Sequence, residues 1–456
     1  MDVLSRLPLM EAFWRLWQEV FPEEYLNELY DQHRGRCYQK EFSFAELVSL
    51  VHDAMGQHEG RAKATLDRHE LPASIQAFYG KLRRMPVVVS QTLVSEGSQR
   101  LAGWLPAETH APVPACFQEH PLLIFDGKIL KNAAKRLKQT RAQAGAALGG
   151  KALGVLDYQT GLILGMEPHQ DAYHGEQLLV QPLLDQLRPQ IAGQRIWVMD
   201  QHFGNLCNFA RCTQHGDHVI VRQHTNTVFT ADSSRPARSG VDEQGRTYDD
   251  EVGMLTSSRQ GAQPARHITV KRPGDDDLVL LTSLLDQDAY PATAILAVYG
   301  FRWSIEEVYQ KVVELFHLQR LIGSHPLAMI FQASLCLTLY NVMTVLRCLL
   351  AQTQKRQTAE ISMYQVNYDL HRQLTTSHTL MTPQDILAEM KQRQPLGQNQ
   401  NQRQKHILSL LEQAWHPRWI KAPNKKTHLP KPRHKNGQAG HFSIDRVLRK
   451  SRDDDV

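Results

Sequence analysis

The sequence has few features of secreted, membrane-spanning or small zinc-binding proteins. Its six cysteines among 456 residues form no CxxC pair, so we expect reduced thiols and no disulfide framework. The first residues, MDVLSRLPLMEAFW, lack the basic start and the apolar run of a secretory signal. The most apolar stretch, Leu327 to Leu350, is interrupted by polar residues and predicts a buried helix instead of a membrane span. We therefore expect a cytoplasmic protein that does not contact a membrane.

The net charge is only +5, but the basic residues are concentrated in two segments. One segment runs from Lys128 to Arg141 and contains no acidic residue, and the other is the C-terminal segment after about residue 417. Such blocks suit a phosphate backbone. A solvated surface and a flexible tail explain either block equally well when it is considered alone.

The spacing of apolar residues divides the chain into regions of different class. Residues 1–112 space their apolar residues three and four apart, which predicts a helical domain, with VVVS at Val87 as the first strand-like run. Residues 113–350 alternate strand-like segments with two amphipathic helices, which predicts a mixed α/β domain. A β-rich insertion is expected at about 224–290. Residues 351–419 predict a helical region, and residues 420–456 predict a basic tail that we expect to be flexible.

Two predicted strands share one pattern, in which four apolar residues are followed by an aspartate. Asp126 follows LLIF and Asp200 follows IWVM, and such runs are typical of strands buried on both faces. At the rim of a sheet, two neighbouring carboxylates repel each other unless a proton or a metal ion relieves them. Oxygen ligands of this kind suit Mg²⁺ or Mn²⁺. Each aspartate taken alone is better explained by a turn or a helix cap.

The segment YGFRWSIEEVYQKVVELFHL adds a third carboxylate. It predicts a packed helix, whose apolar stripe consists of Ile305, Val308, Tyr309, Val312 and Phe316. Tyr299, Arg302 and Glu306 stand at i, i+3 and i+7, so a helix that begins early enough points all three the same way. Taken alone, an exposed Arg–Glu pair on a helix surface is the commoner arrangement.

Together these segments resemble the insertion-sequence DDE transposases of bacteria, and most closely the branch with a β-rich insertion between the second Asp and the Glu. The matching pieces are IFDGK around Asp126, VMDQHFG around Asp200 and YGFRWSIEEVY around Glu306. The resemblance covers residues from about 120 to 350, together with the helical N-terminal layout.

The family's signature is Tyr, two residues, Arg, three residues, Glu, six residues and Lys. Tyr299, Arg302 and Glu306 fit this signature, but Val313 stands where the final Lys is expected. Lys311 lies two residues earlier and on a different face of the helix. The departure affects one expected DNA contact and leaves the three carboxylates intact.

The resemblance implies an RNase H-like catalytic domain, with Asp126 on the first strand, Asp200 on the fourth and Glu306 on a helix after the insertion. It implies that these carboxylates hold two Mg²⁺ or Mn²⁺ ions roughly 4 Å apart. Such an enzyme cuts phosphodiesters at transposon ends and joins the freed 3′-hydroxyl to target DNA. The implied partners are double-stranded DNA, as terminal inverted repeats and as target, and a second copy of the chain in a synaptic complex at the nucleoid.

The resemblance further implies DNA contacts around the carboxylates, from Tyr299, Arg302, Trp303, Lys311, Arg222 and Lys128. Arg302 would bind a phosphate by charge-assisted hydrogen bonds. Trp303 could stack on an unpaired base, although a core position is the stronger expectation for it. Base-reading candidates in the helical N-terminal domain, which could equally be ordinary surface residues, are Arg61, Arg68, Lys81, Arg83 and Arg84.

Two other functions fit the same pattern. The first is an RNase H-fold nuclease that cuts DNA but never joins strands. The second is a catalytically inactive, transposase-derived DNA-binding protein, which the missing signature Lys favours slightly. The β insertion and the Tyr-Arg-Glu segment favour the transposase over the nuclease, and the intact carboxylates favour an enzyme over the inactive protein.

Overall fold

The computed structural model confirms the predicted mixed α/β class, with a helical N-terminal region and a large mixed sheet. It describes residues 6–36, 42–56, 62–69, 73–131, 133–257, 261–316, 318, 322–380, 385, 388–389, 392, 399–422 and 440–453. The predicted domain boundary near residue 112 stays a prediction, because one apolar core contains residues from both sides of it.

The N-terminal region is helical where the structure describes it. Its helices are α1 Pro8–Val20, α2 Glu23–His33, α3 Phe44–Gly56, α4 Ala62–Arg68, α5 Ile75–Arg83 and α6 Val87–Ala102. The prediction that VVVS at Val87 is strand-like was wrong, since these residues begin α6 directly after Pro86. Proline suits the start of a helix because its missing N–H would lack a partner there anyway. Packing of Val89, Leu93 and Val94 in the core then outweighs the strand preference of valine.

The central sheet begins with β1 Leu122–Ile129, β3 Lys151–Asp157, β4 Ile163–His169, β5 Ile196–Met199 and β6 His218–Arg222, while the short β2 Ala146–Leu148 lies outside it. β1 pairs antiparallel with β3 and parallel with β5, and β5 pairs parallel with β6. Two helices connect these strands, α7 Val180–Leu187 and α8 Leu206–Thr213. Asp200 therefore follows the fourth strand of this sheet along the chain, as expected.

The β-rich insertion extends the same sheet. Its strands are β7 Val228–Ala231, β8 Arg238–Val241, β9 Thr247–Ser257, β10 Gly261–Val270 and β11 Leu278–Thr282. In the described part of the chain the strand order is β4-β3-β1-β5-β6-β11-β10-β9-β7, and β8 also pairs with β9. The insertion is joined to the strands that precede it by the antiparallel pairing of β11 with β6.

The sheet separates two apolar cores because neighbouring side chains of a strand point to opposite faces. Leu122 and Ile124 belong to one core, while Leu123 and Phe125 belong to the other. The first core also contains the N-terminal helices and the helices that follow the insertion. The second is closed by α7 and α8. Four consecutive buried residues in β1 are thus the signature of a strand covered on both faces.

Three helices follow the insertion, and the third of them is the predicted apolar helix: α9 Ala292–Gly300, α10 Trp303–Leu315 and α11 Pro326–Thr353. Among the described helices α11 alone is long and apolar enough to span a membrane, but its most apolar window is wholly buried inside the protein. Asn341 explains one of its polar interruptions. Its side-chain amide donates to the carbonyl of Ile163 and accepts from the N–H of Ile163, both at 2.8 Å. These two bonds give hydrogen-bond partners to the backbone groups of Ile163 on the outer edge of β4.

The C-terminal region differs from its prediction. After α12 Met363–Leu380 and α13 Gln400–Ala414, the elements β12 His441–Ser443 and α14 Ile444–Asp453 are ordered, where a flexible tail was expected. β12 pairs with β2 in parallel. Arg446 of α14 forms an ion pair with Asp171 at 2.8 Å, and the Tyr173 hydroxyl donates to the carbonyl of His441. These contacts lie far apart in sequence, so the composition of the tail could not reveal them. The basic residues between 423 and 439 lie outside the described residues.

Candidate active site

The two aspartates lie on adjacent parallel strands. β1 and β5 pair Leu122 with Ile196 and Ile124 with Val198, and this register brings Asp126 level with Asp200. One detail differs from the expectation, because β1 continues past Asp126 to Ile129. The reason is that β3 continues to pair with β1, placing Gly154 opposite Asp126. The Tyr309 hydroxyl donates to the carbonyl oxygen of Asp126 at 2.8 Å and fixes this point of the strand against α10.

The third carboxylate, Glu306, lies in the first turn of α10. The condition for Tyr299, Arg302 and Glu306 to share one helix is not met, since α9 ends at Gly300 and α10 begins at Trp303. Arg302 is the residue that precedes α10. The predicted apolar stripe is nevertheless buried, and it holds α10 against the sheet so that Glu306 remains on the side of the aspartates.

Arg302 connects two of the three carboxylates. Its Nη1 donates to Glu306 Oε1 at 2.7 Å, and its Nε lies 3.8 Å from Asp200 Oδ1. The guanidinium side chain is only 8% exposed, whereas the carboxylates of Asp200 and Glu306 are 41% and 39% exposed. The Nε atom is buried and makes no hydrogen bond to the described residues. Arg302 therefore keeps one donor for a further acceptor.

Asp126 and Glu306 line a cleft of about 630 Å³. Burial and then the negative charge of Glu306 raise the pKa of Asp126 to about 6, and Glu176 adds a smaller effect in the same direction. The Gly127 N–H and Arg302 partly oppose this shift. The fold thus holds carboxylates in the cleft close enough to repel one another.

The donor set fits a divalent cation chemically. Carboxylate oxygens are the ligands that Mg²⁺ prefers, and a cation in the cleft would relieve the repulsion that raises the pKa of Asp126. In the described ranges no three His, Cys, Asp or Glu side chains converge closely enough to hold one ion together. Asp200 and Glu306 are instead neutralised by Arg302, which lies between them.

The predicted lysine contacts fall in two different places. Lys128 lines the cleft, over the ring of Tyr309, and burial lowers its pKa. Lys311 is absent from the lining of this cleft and forms an ion pair with Glu307 at 3.5 Å. Burial and the nearby Arg347 lower the pKa of Lys311. Val313, at the signature position, does line the cleft, so Lys128 and Lys131 supply the positive charge around it.

Tyr299 and Arg222 converge beside Asp200. Burial and the charge of Asp200 raise the pKa of Tyr299 to about 12, while Arg302 and Arg222 act in the opposite direction. Arg222 is the last residue of β6. Tyr299 remains protonated at neutral pH and can donate a hydrogen bond.

Trp303 was expected in the core, and that expectation was wrong. Its side chain is 61% exposed, and the Arg302 guanidinium lies over its ring at 4.6 Å. The reason is its place on α10, two residues from Ile305 and hence on the other side of the helix from the buried stripe.

The sequence interpretation missed Glu176, which lines the same cleft as Asp126 and Glu306. It precedes α7 in the segment EQLLVQPLLDQL, whose apolar spacing predicts only an amphipathic helix. A polar residue just before that apolar run was the available signal, but its proximity to Asp126 depends on how β1, β3 and α7 pack.

Comparison with known proteins bears directly on this region. The family described as the transposase DDE domain matches residues 117–342, which include all three carboxylates. The chain belongs to the DDE transposases. The transposase is therefore an enzyme that acts on DNA, and divalent metal ions are generally used in this family.

Two further comparisons concern the whole transposase. Among solved structures it is similar to piggyBac transposase in a cryo-EM structure of a synaptic complex with hairpin DNA. The identity is 13%, the match covers 94% of this chain and 86% of that chain, and the TM-score is 0.39. No curated protein matches the transposase sequence.

Proposed function

We propose that this transposase uses Asp126, Asp200 and Glu306 to cut phosphodiesters at the ends of its element and to join those ends to target DNA. The observation that carries the proposal is the Arg302 guanidinium, which contacts Glu306 at 2.7 Å and Asp200 at 3.8 Å beside a cleft that Asp126 lines. Four groups from three separate parts of the chain thus come together beside the sheet.

The three carboxylates are the proposed ligands of two Mg²⁺ or Mn²⁺ ions. When bound, such ions stabilise the charge that develops on the attacking and leaving oxygens of an in-line displacement. Asp126 is ionised above about pH 6, where its pKa lies, and is then able to contribute its oxygens. Glu306 and Asp200, which both lie beside Arg302, would contribute theirs.

Arg302 and Tyr299 are the proposed phosphate contacts. The buried Arg302 Nε has no hydrogen-bond acceptor among the described residues, and a phosphate oxygen would supply one. Tyr299 keeps its proton and can donate to the same phosphate. Trp303 is exposed beside them and is proposed to stack on an unpaired base. Arg222 and Lys128 extend the positive charge on either side.

The remaining proposed roles concern how DNA is held. The helical region 1–112 would bind the terminal inverted repeats, with Arg83 and Arg84 exposed for this purpose. Lys81 is removed as a candidate, because it is 8% exposed and donates to the carbonyl of Phe42. Arg68 pairs with Asp53 at 3.0 Å, and Arg61 lies outside the described residues.

The proposed synaptic complex contains two copies of the chain, because two element ends must be brought together before they are joined. The helical region 351–419 is the proposed support for that assembly, and Lys311 keeps its proposed DNA contact only if DNA reaches the face that holds Glu307. Analytical ultracentrifugation with and without element-end DNA measures the stoichiometry directly.

The test of the catalytic proposal is a cleavage and joining assay with a labelled duplex that carries the element's own terminal repeats. We expect wild type to cut and join in Mg²⁺, and Asp126→Ala, Asp200→Ala and Glu306→Ala each to lose both steps. Binding of the same duplex in EDTA, measured by fluorescence anisotropy, controls for folding.

Each other outcome identifies a different function. Cutting without joining would indicate a nuclease, and binding without any cleavage would indicate an inactive transposase-derived DNA-binding protein. Activity that survives all three substitutions would overturn the assignment of the carboxylates.

A further inference from the structure

Glu176 is a further carboxylate in the lining of the cleft, outside the three that the sequence pattern predicts. It begins a short 3₁₀ segment, Glu176–Leu179, which leads into α7. Its side chain is 20% exposed and lines the cleft together with Asp126 and Glu306. Glu176 and Arg302 belong to different elements, since Glu176 leads into α7 and Arg302 precedes α10.

Gly127 leaves the space that the Glu176 carboxylate occupies. A Cβ atom placed on Gly127 would lie 2.7 Å from both Cδ and Oε2 of Glu176, closer than side-chain carbons approach other atoms. The backbone of Gly127 has no positive φ, so glycine is not needed there for its conformation. Glycine leaves room there for the Glu176 carboxylate, and Gly127 follows Asp126 directly in the chain.

Lys151 holds the carboxylate in this orientation. Its Nζ donates to Glu176 Oε1 at 3.3 Å, and its own side chain is only 7% exposed. Lys151 lies on β3 opposite Ile129 of β1, so the pair is anchored to the strand that carries Asp126. Among the described residues Oε2 accepts no hydrogen bond, which leaves one carboxylate oxygen available on the side of Gly127.

These contacts have a consequence for the balance of charge in the cleft. Arg302 pairs with Asp200 and Glu306, whereas Asp126 forms no ion pair among the described residues, and burial and the charges of Glu306 and Glu176 outweigh the opposing effect of Arg302 on its pKa. Mg²⁺ commonly binds to proteins through one or two carboxylates and keeps several waters. Asp126 and Glu176 are two such carboxylates in the lining of the cleft.

We infer that Glu176 is a further functional residue of the catalytic centre, which binds a divalent ion jointly with Asp126 and is oriented for this by Lys151 and Gly127. The inference rests on the proposed function, because it assigns Glu176 to the ion that the three predicted carboxylates would share. It also assigns Gly127 a role that its conformation does not require.

The decisive experiment titrates the full-length protein with Mn²⁺ and measures binding by isothermal titration calorimetry. The proteins compared are wild type, Glu176→Gln, Asp126→Asn and Glu243→Gln. Gln keeps the shape of the side chain and removes its charge. We expect Glu176→Gln to weaken Mn²⁺ binding about tenfold or more, the size of effect known for groups that support metal sites. Glu243, on a hairpin of the insertion that is distant in the sheet order from β1, is the matched control and should leave binding unchanged.

A second readout separates ion binding from a purely structural role. The melting temperature in EDTA should fall little in Glu176→Gln, while the rise in melting temperature on adding Mn²⁺ should shrink. A lower melting temperature in EDTA together with wild-type Mn²⁺ affinity would overturn the inference. If the inference holds, cleavage by Glu176→Gln should require about tenfold more Mg²⁺ than cleavage by wild type for its half-maximal rate.

Gly127→Ala provides an independent variant that keeps the Glu176 charge. Its methyl group must displace the carboxylate, so Mn²⁺ binding should weaken as in Glu176→Gln, and the double variant should add little to either single change. Wild-type affinity in Gly127→Ala would contradict the inference even if Glu176→Gln failed to fold.

The two proposals fail in distinguishable ways. If Asp126→Asn abolishes Mn²⁺ binding but Glu176→Gln and Gly127→Ala bind as wild type does, only the role of Glu176 is wrong. If Asp126→Asn also binds as wild type does, the catalytic centre itself has been assigned to the wrong residues.

Discussion

Replacing Asp126 by Asn should stabilise the metal-free protein at neutral and alkaline pH. The carboxylate is partly buried beside Glu306, and these two effects raise its pKa from 3.8 to about 6. Asn has the same shape and can still accept from the Gly127 N–H, but it carries no charge. The substitution therefore removes the cost of burying a charge and its repulsion by Glu306, which the folded protein bears and the unfolded chain does not.

The magnitude and the pH window follow from the shift. About two pKa units correspond to roughly 3 kcal/mol of free energy of unfolding. Below about pH 4 the carboxyl is protonated in both states, and no destabilisation exists. As the pH rises from about 4 to 6 the unfolded chain ionises first, so wild type loses stability through this window. Above about pH 6 the full roughly 3 kcal/mol is present, whereas roughly half of it is present at pH 5.

The assay is thermal and urea unfolding of wild type and Asp126→Asn in EDTA at pH 5 and pH 8. The stabilisation at pH 8 should be about twice that at pH 5, and Mg²⁺ should raise the melting temperature of wild type more than that of the variant. Asp200→Asn is the control, because its carboxylate is 41% exposed and lies 3.8 Å from Arg302, so that removal of its charge should not stabilise the fold. An Asp126→Asn protein that is no more stable than wild type at pH 8, or equally stabilised at both pH values, would refute the reasoning.

Two further predictions concern DNA binding. Trp303→Ala should leave the melting temperature unchanged, since the ring is 61% exposed. It should weaken binding of element-end DNA about fivefold or more in anisotropy titrations. A large drop in melting temperature with unchanged DNA affinity would contradict this prediction. Deletion of residues 440–456 removes α14, which exposes the basic side chains of Arg446, Arg449, Lys450 and Arg452. The affinity for duplex DNA should therefore fall, and the dependence of that affinity on salt concentration should become shallower. A salt dependence equal to that of the full chain would exclude a phosphate contact by this helix.

Local sequence pattern was sufficient for the parts of the site that depend on single elements. Four apolar residues before Asp126 and before Asp200 indicate strands covered on both faces, because only such strands can keep every side chain from water. The stripe from Ile305 to Val312 likewise indicates which face of α10 is buried. Hydrophobic burial acts over a few residues of one element, so these features can be read without knowing what packs against them.

Features that depend on two or more distant segments could not be predicted in this way. The break between α9 and α10 turns Arg302 between Asp200 and Glu306, and no periodicity in the sequence marks it. The same limit applies to the C-terminal helix, whose anchor is the pair Arg446 and Asp171. Composition correctly indicated that this segment is basic. The segment forms a helix in a fixed position because it contacts residues that are distant in sequence.

The sequence by itself determined that two aspartates follow buried strands and that a glutamate belongs to an amphipathic helix, because burial and periodicity are local properties. Only the tertiary structure decided that Arg302 lies between two of these carboxylates and that Glu176 fits against Gly127 beside the third. Electrostatic interactions and close contacts depend on distances between side chains. Those distances are set by strand pairing and helix packing, which join residues that the sequence keeps far apart.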